Sequence, residues 1–440
     1  MVNLKNTLPM YKWYFSCFLM LVGATKAQTT YFPPLTGSNW DTLSPSSLFW
    51  CNSRIDSLYF YLEAKNTKSF IILKNGKIVL EKYFGSYTKD SVFYWASASK
   101  SLASFITGIA QQKGLITINS KVSQYLGTGW TSENLAKENL INVKHLLQMT
   151  SGMEDAPPLP CDNEDTARSC LTYKVDAGSR WAYHTGAYRK VQDVVSAAAG
   201  QNYNLVTTNW VKTKTGMGGI WLDQVYYSKA RDMARFGLLA QNKGIWNTDT
   251  LMKDSIYFKQ MISPSQTINP AYGLLWWLNG KSTYMVPGAQ LVFNGAIIPS
   301  APGDMFAALG KNDQKIYVVP SQKLVVIRQG NSAEGMSFAL SNFDTRLWEY
   351  ITKLNCLSVS MSKEAMEEGV LLYPNPATDV LCLKTSYTIQ SVNITDCLGQ
   401  KVQAEIKNGK IDVSTLTQGV YFLKITIEGK GEYSRKFMIH

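Results

Sequence analysis

The stretch SASKSLASFITGIAQQKG, residues 97–114, joins a serine–lysine pair to an apolar helical pattern. Apolar residues recur at helical spacing and a glycine follows, so the stretch predicts a helix that ends near Gly114. Residues i and i+3 share a helix face, so Ser97 and Lys100 are expected to meet. A serine needs a base to become a nucleophile, and a desolvated lysine can be that base. If the helix begins in a different register, Ser99 is the nucleophile and Ser97 is the N-cap residue of the helix.

The segments around this helix predict an antiparallel sheet. Asn75-Gly76 separates two short β-rich runs, 69–74 and 77–83, and Asn-Gly in that setting is the strongest short-range hairpin signal. A mainly helical middle follows. Later strand patterns and a closing helix are found at 305–309, 315–319, 324–328 and 343–354. The order predicts an α+β domain over residues 46–357, with an antiparallel sheet that joins both ends of the domain and a helical region between them.

The last part of the chain has a different character. Residues 358–369 are a polar linker that contains serine and glutamate, and residues 370–440 hold short alternating strands separated by turn residues. We expect a small β-sandwich there, without catalytic residues of its own.

The first residues indicate an export signal. Lys5 and Lys12 precede an apolar run at 13–24, and small residues then suit cleavage after Ala27. The run is shorter than the ~20 residues that a transmembrane helix needs, and no later stretch qualifies. We therefore expect a signal peptide at 1–27 and no transmembrane segment in the mature protein.

The cysteines indicate an oxidising compartment. Of the seven cysteines, Cys17 leaves with the signal peptide, and the six that remain are an even number suited to disulfides. Cys161 and Cys170 enclose a short polar loop and are the expected pair. A metal site would need histidine or further cysteine nearby, and neither is present. Segment position alone suggests the pairs Cys51–Cys356 and Cys382–Cys397.

Several function classes lack their signals. No G-x-S-x-G, H-E-x-x-H or P-loop pattern occurs. Only three histidines exist, and His145 fits a structural place on an amphipathic helix. The net charge of +12 comes without a basic run, so nucleic-acid binding is not expected. We expect no metal and no organic cofactor.

Three segments occur in an order that resembles the class C β-lactamase and penicillin-binding superfamily. They are KIVLEKYFG at 77–85, WASASKS at 95–101 and HLLQMTSG at 145–152. The similarity spans about 65–350 and is greatest to the esterase and 6-aminohexanoate-dimer hydrolase branch. The resemblance implies a β-lactamase/transpeptidase-like fold and an S-x-x-K nucleophile.

The second family motif, Y-x-N, is represented by Tyr183-His184-Thr185. The resemblance implies that Tyr183 shares proton transfer with Lys100 and returns a proton to the leaving group. Thr185 stands where asparagine is usual, so the amide that holds a β-lactam carbonyl is missing. His184 lies between them, and alternation along an extended segment would turn it away from substrate.

The third family motif aligns with Gly310-Lys311-Asn312-Asp313-Gln314. The resemblance implies a positive charge at Lys311, substrate contacts around Asn312, and an oxyanion hole formed by backbone N–H groups of Ser97 and near Gln314. Asp313 replaces the glycine of many relatives. The other interpretation is a charged turn that enters an edge strand.

The C-terminal segments YPNPATDVL, IDVSTLTQGVYFLKI and KFMIH resemble the sorting domain of the type IX secretion system. The similarity covers about 365–440. It implies a Bacteroidetes-type organism, recognition by the type IX machinery, and export across both membranes to the surface or medium. A carbohydrate-binding or spacer sandwich is the alternative.

Together these features predict a secreted serine hydrolase that acts through an acyl-enzyme on small esters or amides. The alternatives are a hydrolase of D-amino peptides or β-lactams, a non-hydrolytic receptor that is acylated by ligand, and an adhesin carried by the C-terminal module. Because Thr185 removes an amide and Asp313 adds negative charge, we expect short esters to be preferred over nitrocefin by at least about a hundredfold in kcat/KM.

Overall fold

A computed structural model describes residues 30–335, 340–356, 370–385, 387–397, 399–428 and 431–439. The predicted signal peptide and the predicted linker at 358–369 lie outside these residues. Buried apolar side chains form two separate clusters, one drawn from residues 40–354 and one from residues 377–439. We call the part of the chain that holds the first cluster the large domain and the part that holds the second the small domain.

In the part of the chain that the structure describes, the helices lie before residue 357. They are α1 (Asn52–Ala64), α2 (Ser99–Gln112), α3 (Ser123–Leu126), α4 (Leu135–Glu138), α5 (Val143–Gln148), α6 (Thr185–Ala199), α7 (Tyr203–Thr207), α8 (Thr213–Thr215), α9 (Ala230–Gln241), α10 (Ser255–Met261) and α11 (Asn342–Thr352). Within the described residues, no helix is long and apolar enough to cross a membrane.

The strands of the large domain include the predicted hairpin and the three late strands. They are β1 (Thr67–Lys74), β2 (Lys77–Tyr83), β3 (Val92–Tyr94), β4 (Ile220–Leu222), β5 (Val225–Lys229), β6 (Ile245–Trp246), β7 (Asp249–Thr250), β8 (Trp277–Leu278), β9 (Thr283–Tyr284), β10 (Phe293–Asn294), β11 (Phe306–Gly310), β12 (Gln314–Val319) and β13 (Leu324–Gly330).

A six-stranded sheet in the order β2-β1-β13-β12-β11-β8 joins both ends of this domain, and every neighbouring pair is antiparallel. At the hairpin between β1 and β2, Asn75 and Gly76 have φ of 50° and 82°, which suits the turn that Asn-Gly favours. Every residue of β11, β12 and β13 is buried, so elements cover both faces there. The predicted α+β fold is confirmed.

The start of the nucleophile helix differs from the prediction. A 3-10 turn, Ala96–Ala98, precedes α2, so Ser97 lies on the turn and Lys100 in the first turn of the helix. Every residue of α2 from Ser99 to Ala110 is buried, because the helix packs among α6, α10 and β11. Strand β11 and the buried helix α2 therefore fix the serine–lysine pair from two sides.

The small domain consists of two four-stranded sheets. One has the order β14-β15-β19-β18 and the other β17-β16-β20-β21. Leu381 and Leu383 of the first sheet share a core with Leu423, Ile425 and Phe437 of the second, as in a sandwich. The strands are β14 (Val370–Tyr373), β15 (Val380–Thr385), β16 (Ile389–Asp396), β17 (Lys401–Val402), β18 (Ile406–Lys407), β19 (Lys410–Asp412), β20 (Gly419–Ile427) and β21 (Gly431–Ile439).

Two of the three suggested cysteine pairs are disulfides. The structure contains Cys161–Cys170 and Cys51–Cys356, with Cα atoms 5.4 and 6.0 Å apart. The pairing of Cys382 with Cys397 is wrong, because both thiols are free. Cys382 lies on β15 and Cys397 in the turn after β16, which belongs to the other sheet.

Candidate active site

The serine and the lysine of the S-x-x-K segment are in contact. Nζ of Lys100 donates a hydrogen bond of 2.8 Å to Oγ of Ser97. Ser97 is half-buried, so its hydroxyl can be reached, while Lys100 is only 2% exposed. A nucleophile within hydrogen-bond reach of a buried amine is the geometry that base activation requires.

The surroundings of Lys100 favour its neutral form. Burial lowers the pKa of Lys100 well below its ordinary value, and Arg189 and Lys311 lower it further, while Glu164 raises it. Aromatic faces offset part of this burial, because Nζ lies 4.3 Å from the ring centre of Tyr188 and 4.9 Å from that of Tyr183. A neutral amine has a lone pair, so Lys100 can accept the proton of Ser97.

Ser99, the alternative nucleophile, has a structural position instead. It is fully buried, and its Oγ accepts a hydrogen bond of 2.9 Å from the backbone N–H of Tyr226 on β5. The helix cap predicted for one of the two serines is also wrong, since Ala98 holds the N-cap position. The geometry therefore favours Ser97 as the reactive serine.

Tyr183 lies at the same site. Its side chain is hydrogen-bonded to Ser97, and it is 8% exposed. Burial raises the pKa of Tyr183 above its ordinary value, an effect that outweighs the opposite one of the Ser97 hydrogen bond. The phenol is thus protonated near neutral pH and has a proton to donate.

The residues after Tyr183 start helix α6. His184 is its N-cap, with Nδ1 accepting a hydrogen bond of 3.2 Å from the N–H of Ala187. Burial lowers the pKa of His184 to about 4, so this side chain is neutral and part of the core, as the alternation suggested. Thr185 is buried beside Tyr183 in the first turn.

The strand next to the nucleophile approaches it through Gly310. A Cβ at this position would lie 3.1 Å from the nitrogen of Ser97 and 2.5 Å from the oxygen of Trp95, so only glycine allows this approach. The expected oxyanion-hole donor was a backbone N–H near Gln314, whose side chain is buried and donates to the backbone oxygens of Gly330 and Asn312. The strand residue that lies against the nitrogen of Ser97 is Gly310.

The loop at 311–313 turns its polar side chains in different directions. Lys311 is half exposed, and its Nζ lies 3.3 Å from Oε1 of Glu164. Asn312 has its amide engaged, because Nδ2 donates to the hydroxyl of Tyr94 at 2.5 Å.

The Asp313 carboxylate is turned into the protein, contrary to the expectation that it adds negative charge at the pocket. It is 1% exposed, pairs with Lys315 at 3.2 Å and accepts hydrogen bonds from Ala333 N–H and the Ser341 hydroxyl. Asp313 has a φ of 59°, a left-handed conformation in which glycine is favoured. The buried partners hold an aspartate in the place that relatives give to glycine.

The sequence interpretation gave no role to the loop between Cys161 and Cys170. Glu164 in this loop bonds both Lys311 and Arg189, the latter at 3.2 Å. Asn163 bonds the Tyr183 segment through its side chain. The disulfide spacing was the one available signal that this loop is held in a fixed place.

Four tryptophans of the large domain are core residues rather than pocket lining. Trp95, Trp181, Trp276 and Trp277 are each at most 2% exposed. The ring of Trp277 stacks on that of Tyr183 with centres 6.1 Å apart. These rings therefore support the site from behind.

His145 has the structural place expected of it. It forms a capping box with Asn142 at the start of α5, where its N–H donates to Oδ1 of Asn142 at 2.8 Å. The following turn supports the tyrosine segment, because Ala182 N–H donates to the oxygen of Met149 at 2.8 Å.

Comparison with known proteins agrees with this geometry. Residues 67–347 match the Beta-lactamase family, and residues 371–440 match the secretion system C-terminal sorting domain. An uncharacterized protein of Alkalihalophilus pseudofirmus is 24% identical over 309 residues, which are 60% of this chain and 83% of that protein.

Two solved structures share the fold. A Bacillus anthracis protein named as a 6-aminohexanoate-dimer hydrolase has a TM-score of 0.56 at 18% identity, over 75% of this chain and 90% of that one. A Bacteroides dorei protein named as a beta-lactamase has a TM-score of 0.55 at 17% identity, over 70% of this chain and 99% of that one. The sorting domain indicates export to the cell surface or release from the cell.

Proposed function

Since the chain belongs to the beta-lactamase family, we propose that it is a secreted serine hydrolase that cleaves small esters or amides through an acyl-enzyme. The observation that carries the proposal is the 2.8 Å contact between Nζ of a buried Lys100 and Oγ of Ser97. Burial favours the neutral amine, so the contact supports activation of Ser97 for attack on a carbonyl.

Acylation begins with proton transfer from Ser97 to the neutral amine of Lys100. Oγ then attacks the substrate carbonyl. When the tetrahedral intermediate collapses, Lys100 gives the proton that it took from Ser97 to the oxygen of Tyr183, which replaces the proton that Tyr183 donates. Tyr183 gives a proton to the leaving alcohol or amine. Because its pKa is raised, Tyr183 keeps this proton until the leaving group departs and accepts it.

The oxyanion is held by backbone N–H groups. Ser97 supplies one, and we assign the other to the Lys311 N–H, because it follows Gly310, which lies against the nitrogen of Ser97. Because a buried strand and the start of a helix fix these two N–H groups, they do not have to rearrange when negative charge develops on the carbonyl oxygen. Water then enters, Lys100 and Tyr183 act in the reverse direction, and the acyl group leaves Ser97.

The charges at the rim support neutral substrates. Lys311, the positive charge expected to meet a substrate carboxylate, already has Glu164 at 3.3 Å. Both side chains are about half exposed, so their pairing costs an anionic substrate at most about 1 kcal/mol. Thr185 stands where the family usually has asparagine, and the missing amide weakens the free energy of β-lactam binding by a further 1–3 kcal/mol, roughly.

With Asp313 turned inward, the expected preference for esters is smaller than the sequence suggested. Short p-nitrophenyl esters should exceed nitrocefin in kcat/KM by about tenfold to a hundredfold, from Thr185 and Glu164 alone. Comparable values, or a preference for nitrocefin, would restore a β-lactam hydrolase.

The test of the reaction itself uses the mature protein with p-nitrophenyl esters, linear amides, D-amino peptides and nitrocefin. Many turnovers per site, abolished by stoichiometric labelling with a fluorophosphonate, are the expected result. Stoichiometric labelling without turnover of any substrate would identify a receptor that stays acylated and would overturn the hydrolase.

A further inference from the structure

The loop closed by Cys161–Cys170 is built against the segment that carries Tyr183. Asn163 makes the connection with both its side chain and its main chain. Its Nδ2 donates to the oxygen of Tyr183 at 3.1 Å, and its Oδ1 accepts from the N–H of Thr185 at 2.9 Å. Its backbone oxygen accepts from the N–H of Gly186 at 2.8 Å.

The same loop packs tightly on the start of α6. A Cβ at Gly186 would lie 1.9 Å from the backbone oxygen of Asp165, so the two main chains are in direct contact. Nδ2 of Asn163 also donates to the oxygen of Asp155 at 2.8 Å. Asn163 therefore joins the Tyr183 segment to a second stretch of the chain.

The Tyr183 segment depends on such contacts because it has no regular structure of its own. Residues 180–184 lie between a turn and α6, outside any helix or strand. The backbone hydrogen bond from Ala182 to Met149 fixes one side of this segment, and the hydrogen bond from Asn163 to the Tyr183 oxygen fixes the other. The position of the Tyr183 hydroxyl relative to Ser97 follows from these bonds.

We propose that Asn163 is a positioning residue for Tyr183, and this rests on the proposed function, in which Tyr183 transfers protons to and from the leaving group. Asn163 does not touch Ser97 or Lys100 through any described hydrogen bond. It acts by fixing the main chain on both sides of the tyrosine. A shift of about 1 Å in such a group can cost about a hundredfold in rate.

The test compares Asn163→Asp with Asn204→Asp in the full mature protein. Asn204 is a matched control, because its amide also clamps a backbone, with Nδ2 donating to Trp221 oxygen at 3.0 Å and Oδ1 accepting from Trp221 N–H at 2.8 Å. Both asparagines are half-buried, and Asn204 lies outside the proposed machinery. The measurements are kcat, KM and thermal unfolding of each variant.

We expect Asn163→Asp to lose at least about tenfold in kcat, with a smaller change in KM, while Asn204→Asp keeps the parent kcat. The ratio of the Asn163→Asp rate to the parent rate should rise as the pH falls. A protonated aspartate regains an O–H donor for the Tyr183 oxygen, whereas a carboxylate has none. A merely structural role would leave this ratio flat.

Equal kcat in the two variants, or equal losses in both, would overturn the positioning role. If Asn163→Asp does not fold, Asn163→Gln replaces it, since it keeps the amide but displaces it by one methylene, and the same loss in kcat is expected. If neither variant folds while Asn204→Asp does, Asn163 is structural and the proposal is wrong. A parent protein without any turnover would instead refute the proposed function.

Discussion

Exchanging the two neighbouring serines for alanine, one at a time, tests the nucleophile most directly. Ser97→Ala removes the hydroxyl that Lys100 contacts, and Ser99→Ala removes a buried acceptor of the backbone N–H of Tyr226. The two variants should therefore lose different properties. We expect Ser97→Ala to lose activity and Ser99→Ala to lose stability.

The expected sizes follow from the contacts. Ser97→Ala should lower kcat/KM by about four to six orders of magnitude, as removal of a nucleophile does. Ser99→Ala leaves a buried donor without a partner, which costs about 1–3 kcal/mol in the free energy of unfolding. For a domain of this size that lowers Tm by roughly 2–5 °C. Ser97→Ala should change Tm little, because Ser97 is only half-buried.

The assay combines fluorophosphonate labelling, ester turnover and thermal unfolding on the same preparations. Ser97→Ala should be unlabelled and inactive with a Tm close to that of the parent. Ser99→Ala should be labelled and active below its lowered Tm. Full labelling of Ser97→Ala, with loss of labelling in a folded Ser99→Ala, would refute the assignment and move the nucleophile by two residues.

The remaining predictions concern charge, the disulfide and the second domain. A base must be neutral, so activity falls as pH drops through the pKa of Lys100. Lys311→Gln should move this acid limb to higher pH and Glu164→Gln should move it to lower pH, and shifts of the same sign in pH profiles of kcat/KM would contradict this. Replacing both cysteines of the 161–170 loop by serine should lower kcat while unfolding stays cooperative, and an unchanged kcat would show that the loop does not support the site. Deleting residues 365–440 should leave an active enzyme that no longer reaches the cell surface, because each domain has its own core; a purified truncated protein that is unfolded would show that the domain boundary is wrong.

The fold was predictable because its signals are local and repeated. Asn75-Gly76 fixes a hairpin, and the late runs at 314–319 and 324–330 form strands that are buried along their whole length. The helix start was less predictable. Ser97 is followed by good helical residues, but the short 3-10 turn depends on contacts with β11 and β12 that spacing does not reveal.

The site was predictable where the chemistry lies within one segment. Ser97 and Lys100 are three residues apart, so any helical start brings them together. Glu164 and Lys311 are separated by 147 positions, and nothing in either segment indicates that they meet. Asn163 was missed for the same reason, since its partners are backbone atoms and backbone acceptors have no sequence signature.

Asp313 explains why a motif alone misjudged the charge of the pocket. An aspartate in the place of a glycine suggested a negative charge that faces substrate. The Asp313 side chain instead points into the protein, because its carboxylate contacts Lys315 and Ser341. Lys315 also pairs with the fully buried Asp344 at 2.9 Å, so two carboxylates share one ammonium away from solvent. Arg328 completes this network by donating to the backbone oxygen of Asp313 at 2.9 Å.

The same network links the loop geometry to catalysis. It holds a left-handed turn next to Gly310, and Gly310 is the point where the sheet reaches the nitrogen of Ser97. Removing the Asp313 carboxylate would leave Lys315 still paired with Asp344, so the loop would lose its inward anchor while the ammonium stayed paired. The cost should therefore fall on the oxyanion hole more than on the fold. Thus an acidic residue that never meets substrate can set the rate, because it fixes the main chain that does.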